Sequence, residues 1–183
     1  MYELDLAVTQ AINDWTGASA ILDFIMIWAS NIGVQLLVVA VIALWWRRTE
    51  RRYTRHVAVS AGLSFLFGLA INQFILLFVH RMRPYDAGVT HLLLAPSSDF
   101  SFPSDHTTAT FAIAATFLLH RTRRLGLVFL AAAMLVMLSR VYDGVHYASD
   151  VLGGALTGAI AATVVRAFYR EGTRIDRLIT SIL

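Results

Sequence analysis

The side chains best placed to do chemistry are Ser139-Arg140, five residues, His146, three residues, Asp150. Residues four apart share one face of a helix, so this spacing lets the His146 ring and the Asp150 carboxylate meet. A carboxylate on one ring nitrogen fixes the tautomer and raises the basicity of the other, and a histidine so held can attack phosphorus. The competing reading is an interfacial histidine salt-bridged to a nearby acid. A second segment reads Phe102-Pro103-Ser104-Asp105-His106-Thr107. Ser104 is expected to cap a helix whose free N–H groups form an anion site, with His106 donating a proton to a departing oxygen. Taken alone, Ser104 is better explained as a simple cap and His106 as an interfacial polar residue. The third segment is His80-Arg81-Met82-Arg83-Pro84. Guanidinium forks suit phosphate oxygens, although arginines also snorkel to headgroups at helix ends. Arg83 precedes a proline, which holds it extended.

These segments must be positioned by membrane helices. The chain has 183 residues, of which 57% are hydrophobic and 15% charged, and its mean hydropathy is +0.64. This length and composition predict one integral membrane domain, residues 1–183, with all-α architecture and about five to six membrane helices. Residues 3–14 have the pattern of a short interfacial helix. Ile21–Trp46 is interrupted by Ser30, Asn31 and Gly33, and a broken span is favoured over one tilted helix. Spans follow at His56–Val79, from Ser104 to about His120, from Leu125 to about Arg140, and at Ala148–Tyr169. The three prolines Pro84, Pro96 and Pro103 mark 80–103 as a loop. Gly154 and Gly158 have the spacing that lets helices approach closely.

All fifteen basic residues are arginine, and their distribution gives the orientation. Arg47, Arg48, Arg51, Arg52 and Arg55, then Arg121, Arg123 and Arg124, then Arg166, Arg170, Arg174 and Arg177 fall on one side and are expected inside. Arg81, Arg83 and Arg140 fall on the other, with His80, Ser104, His106, His146 and Asp150. The net charge of +3 is accounted for by arginines facing anionic headgroups, so membrane lipids and not nucleic acid are the expected partners. The first charges, Glu3 and Asp5, are unlike a cleaved signal peptide, and the first span is expected to serve as an uncleaved insertion signal. The absence of cysteine excludes disulfides and thiolate chemistry. No metal or other cofactor is expected: His106, His146 and Asp150 could ligate zinc by type, but converging arginines repel a divalent cation and attract phosphate.

Together the three segments resemble the type 2 phosphatidic acid phosphatase superfamily, the lipid phosphate phosphatases. That signature is Lys, six residues, Arg-Pro; then Pro-Ser-Gly-His; then Ser-Arg, five residues, His, three residues, Asp. The third motif is complete here through Ser139, Arg140, His146 and Asp150, and the resemblance covers about residues 56–165. The second keeps Pro103, Ser104 and His106 but has Asp105 in place of Gly. The first keeps Arg83 and Pro84 but has Leu76 in place of Lys. These departures, and Asn72 four residues before Leu76, resemble the bacitracin-resistance branch, the undecaprenyl-diphosphatases. The resemblance implies that His146 is the nucleophile, Asp150 its orienting group and His106 the acid and base, with Arg83, Arg140 and Ser104 binding phosphate. His80 and Arg81 are the further candidates for the role of the missing Lys, and Asp105 is expected to point away from the anion. It implies hydrolysis of a polyprenyl diphosphate at the outer leaflet. Other lipid phosphates, such as phosphatidylglycerophosphate, phosphatidate or a lipid A phosphate, are the alternative substrates. A transporter or structural membrane protein is the alternative from another class, disfavoured because the ionisable residues cluster at one face.

The arginine distribution makes a direct prediction. In intact cells, Val89→Cys should react with an impermeant thiol reagent and Glu50→Cys should not; the reverse labelling would invert the orientation.

Overall fold

The computed structural model of the chain describes residues 2–182, and among them every regular element is helical. In order these are α1 (Tyr2–Asn13), α2 (Ala20–Ala43, continued by a 3₁₀ turn at Leu44–Trp46), α3 (Arg51–Leu76), α4 (Asp105–Leu119), α5 (Arg123–Tyr142), α6 (Ala148–Phe168) and α7 (Arg174–Thr180). Four segments are long and apolar enough to cross a membrane: Ala20–Trp46, Arg51–Leu76, Arg123–Tyr142 and Ala148–Phe168. α4 is shorter and sits at the centre, packed by α3, α5 and α6. Its length of about 22 Å at 1.5 Å per residue falls short of a bilayer core of about 30 Å. Its threonines are buried all the same, because each bonds back to its own helix or to a neighbour: Thr110 Oγ1 to His106 O at 3.0 Å, and Thr116 Oγ1 to Ala112 O at 2.8 Å. Many large apolar side chains of the outer helices, among them Phe24, Leu66, Phe74, Val128 and Leu156, are exposed, as a lipid-facing surface requires.

α2 corrects the expected break. Ser30, Asn31 and Gly33 lie within one continuous helix, because Ser30 and Gly33 face α5. Ser30 Oγ accepts from Arg140 Nη1 at 2.7 Å, and a Cβ on Gly33 would come 2.5 Å from Val136 Cγ2. The residues that look like interruptions are contact positions. α3 begins at Arg51 and not at His56, so Arg51, Arg52 and Arg55 belong to a helix that the sequence reading starts later.

α2, α4 and α6 run away from one end of the bundle, and α3 and α5 run toward it. That end holds Arg81, Arg83 and Arg140; the other twelve arginines lie toward the opposite end. There α7 is docked by His56 Nδ1 on Asp176 Oδ1 at 2.8 Å and by Arg55 Nη1 on the Thr180 carbonyl at 2.9 Å.

Close approach of α4 and α6 depends on Gly154 and Gly158. A Cβ at Gly158 would sit 2.5 Å from the Thr108 carbonyl oxygen and 2.7 Å from the Ala112 nitrogen, and backbone cannot step aside. Gly158→Ala should therefore lower the melting temperature in detergent, at a cost of about 1–3 kcal/mol. Gly62→Ala on α3, where nothing lies within 4 Å, should leave it unchanged or raise it.

Candidate active site

The site is assembled from the 80–103 loop, the start of α4, the end of α5 and the α5–α6 connection. Gly144 makes that connection possible: its φ of 78° is left-handed, and any Cβ there would strike the carbonyl of His91. The chain then presents His146 before α6 begins at Ala148. Arg83, Asp105, His106, Arg140 and His146 line a cavity of about 250 Å³, together with Gln73, Leu76, Ser97, Asp99, Phe100 and Pro103.

His146 is buried, and burial, with the charges of Arg140 and Arg83 adding to it, pushes its imidazole down to about 4. The ring is thus neutral at physiological pH. Its Nδ1 lies 2.8 Å from the Ser101 carbonyl, which can only accept, so Nδ1 carries the hydrogen. Arg83 Nη1 lies 3.4 Å from Nε2 and can only donate, which again puts the lone pair on Nε2. Nε2 belongs to the ring that lines the cavity.

Asp150 departs from its expected contact. Its Oδ2 is 3.7 Å from His146 Nδ1, beyond hydrogen-bond range, because His146 precedes the helix and helical spacing does not apply. The fully buried carboxylate accepts from Ser101 Oγ at 2.5 Å, the Tyr147 amide at 2.9 Å and Arg81 Nη1 at 2.6 Å. Arg81, a candidate phosphate ligand by sequence, is committed here. Its other nitrogen pairs with Asp5 Oδ2 of α1 at 2.6 Å, and its guanidinium lies 3.8 Å over the Tyr147 ring. Burial raises the Asp5 carboxyl, but hydrogen bonds from Arg81 and Ser149 prevail and hold it below its ordinary value. His80 packs against Phe100, ring centroids 4.5 Å apart and tilted by 36°, and does not line the cavity.

The remaining two guanidiniums of this end, Arg83 and Arg140, both line the cavity. Arg83 is held by Nε on the Asp99 carbonyl at 2.9 Å and Nη1 on the Val145 carbonyl at 3.0 Å. Arg140 is tethered to Ser30, and its Nε has no partner among the described residues. Ser104 occupies the N-cap position of α4, but its hydroxyl makes no capping bond and accepts only a 3.2 Å contact from Thr107 Oγ1. Asp105 does not point away: it lines the cavity, accepting from Asn72 Nδ2 at 2.7 Å and not from an arginine or helix N–H groups.

Several contributors have no periodic signal in the sequence: Ser101, Asp5, Ser30 and Asp143. Ser101 lies beside a motif, which is the one clue available. Asp143 follows α5 and is wholly buried with both oxygens unpartnered among the described residues, and burial lifts its carboxyl to about 6.

An all-helical bundle with two imidazoles and two guanidiniums around one cavity, matched by the relatives below, is an integral membrane hydrolase. The chain belongs to the PAP2 superfamily, whose profile matches residues 57–174. It is 32% identical over 158 residues to undecaprenyl-diphosphatase BcrC of Bacillus subtilis, covering 86% of this chain and 80% of that protein. It is 29% identical over 141 residues to an undecaprenyl-diphosphatase of Sulfolobus acidocaldarius, covering 76% and 67% respectively. The fold matches the crystal structure of a transmembrane PAP2 type phosphatidylglycerolphosphate phosphatase from Bacillus subtilis. That match has a TM-score of 0.70 and 24% identity, and covers 94% of this chain and 88% of that one.

Asp143 yields a pH prediction. Its folded carboxyl binds a proton more tightly than an unfolded one, whose ordinary value is 3.8. Stability must therefore fall as pH rises from about 4 through about 6. Asp143→Asn should remove that fall and stabilise the protein above pH 7 by about 1–3 kcal/mol, read as melting temperature against pH. A parallel pH dependence in both proteins would contradict it.

Proposed function

We propose that the protein hydrolyses undecaprenyl diphosphate to undecaprenyl phosphate and phosphate, with its site facing the outer leaflet of a bacterial inner membrane and its C-terminus in the cytoplasm. One observation carries this reading: the neutral His146, with its lone pair on Nε2, shares one cavity with Arg83, Arg140 and His106. Similarity to the undecaprenyl-diphosphatases supports the substrate, and the clustering of twelve arginines at the far end supports the orientation.

His146 Nε2 attacks the terminal phosphorus, forming a P–N bond as the P–O bond to the lipid phosphate breaks. The charge of the bound diphosphate favours protonation of His106, which takes up a proton with the substrate and gives it to the departing oxygen. Arg83, Arg140 and Ser104 hold the phosphoryl oxygens, so that positive charge and fixed donors stabilise the transition state. Water then attacks the phosphohistidine with His106 as base, releasing phosphate. Asp150 supports the imidazolium character of the intermediate. The arginines supply the charge that a metal would otherwise bring, so turnover is expected to survive exhaustive chelation. The polyprenyl tail stays in hydrocarbon and enters between helices.

Purified protein should release phosphate from undecaprenyl diphosphate faster than from undecaprenyl monophosphate or phosphatidylglycerophosphate; preference for phosphatidylglycerophosphate would replace the substrate and keep the chemistry. His146→Ala should abolish turnover and any acid-labile phosphoenzyme. His106→Ala should lose about 10² to 10⁴ in rate and recover in part with an activated aryl phosphate, or show a burst of leaving group if dephosphorylation becomes limiting. Equal inactivity of both variants toward the activated substrate, with neither burst nor phosphoenzyme, would overturn the assigned roles.

A further inference from the structure

We propose that Ser101 is a positioning residue of this site, the group through which Asp150 acts on His146; this rests on reading His146 as the nucleophile. Ser101 is fully buried and makes three bonds, each to a different part of the site. Its N–H donates to the Arg81 carbonyl at 2.8 Å, its carbonyl accepts from His146 Nδ1 at 2.8 Å, and its hydroxyl donates to Asp150 Oδ2 at 2.5 Å. The carboxylate itself stands 3.7 Å from Nδ1. A neutral amide carbonyl therefore fixes the tautomer of His146, and the carboxylate reaches the ring through space and through the serine that lies between them.

The division has a chemical consequence. A carboxylate bonded directly to Nδ1 favours the protonated ring, and a protonated imidazole cannot attack phosphorus. The Ser101 hydroxyl draws on the charge of the oxygen nearest the ring, so that Asp150 supports the imidazolium less in the resting enzyme. The other charged or titratable groups near the ring are Arg83 from the loop, Arg140 from α5 and His106 from α4, and both guanidiniums oppose its protonation. On the far side Arg81 holds the second oxygen of Asp150, braced in turn by Asp5. Removing the Ser101 hydroxyl leaves the Arg81 and Tyr147 bonds in place but takes one of two donors off the oxygen that faces His146.

The test compares kcat/KM against pH for the full chain in detergent, using undecaprenyl diphosphate, for the parent protein, Ser101→Ala, Ser101→Cys, Asp150→Asn and the Ser101→Ala/Asp150→Asn pair. Acid-labile phosphoenzyme is trapped in parallel. The acidic limb, expected near pH 4 in the parent, should rise by about one unit in Ser101→Ala. Ser101→Cys, similar in size but a weaker donor, should rise less, and it carries the test if the alanine variant does not fold. In the Asp150→Asn background, Ser101→Ala should add less than about a twofold loss, because coupled groups are not additive. A serine that merely fills space would lower the rate without moving the limb, and its loss would multiply with that of Asp150→Asn; either result overturns the proposal. Absence of phosphoenzyme from the parent protein would overturn the His146 reading instead, and is seen independently of any Ser101 variant.

Discussion

The constraint on which the site end depends is the burial of the Asp150 charge. A carboxylate removed from water costs several kcal/mol unless donors replace its hydration. Here three do: a guanidinium, a hydroxyl and an amide. Two come from the two ends of the 80–103 loop and the third from the N-cap of α6 itself, so satisfying one carboxylate ties both ends of the loop to the start of α6. The brace extends outward, because Asp5 and Ser149 hold Arg81. α1 is drawn onto the bundle by the same requirement, helped by Thr9 accepting from the Ala148 amide at 3.0 Å and Asn13 donating to the Tyr142 carbonyl at 2.7 Å.

Packing among the helices then sets where this end sits relative to the cavity. α4 has to lie deep enough to present His106 to the cavity, and it does so by contact with the glycine-rich face of α6. Ser104 N donates to the Asp150 carbonyl at 3.1 Å, so the first turns of α4 and α6 are joined by backbone. Asn72 adds a link from α3, donating to both Asp105 and Thr108 Oγ1 at 2.7 and 2.9 Å. On the other side Ser30 of α2 holds Arg140. Every membrane helix thus places at least one polar side chain at this end, and the bonds among them offset part of their desolvation, with Arg140 Nε and Asn72 Oδ1 left unpartnered among the described residues.

The two ends of the bundle use similar chemistry differently. At the far end a buried histidine and aspartate also meet, with Tyr169 donating to Asp176 at 2.7 Å and stacking on His56 at 5.0 Å. There the carboxylate bonds the imidazole directly, and the result pins α7 against α3. At the site end the carboxylate is held off the ring by a serine, and the ring borders a cavity. A His–Asp pair is therefore no signature of catalysis by itself; its surroundings decide.

Much was already determined by the chain. Apolar runs set the helices, since lipid leaves backbone groups no partner except one another. The arginine pattern sorted the ends, and motif spacing brought His106, His146, Arg83 and Arg140 into consideration before any geometry was known. Tertiary structure decided the rest. It made α2 continuous, because Ser30 and Gly33 meet α5 and do not interrupt the helix. It turned Arg81 from an anion ligand into the counter-ion of Asp150, because residue type fixes a charge but not its direction. It also placed Ser101 between carboxylate and imidazole, a contact across 49 residues on one side and 45 on the other that no local periodicity encodes. Spacing along a helix is legible in sequence because the helix repeats; a bond between a loop and a helix start is not, because nothing repeats there until the chain has folded.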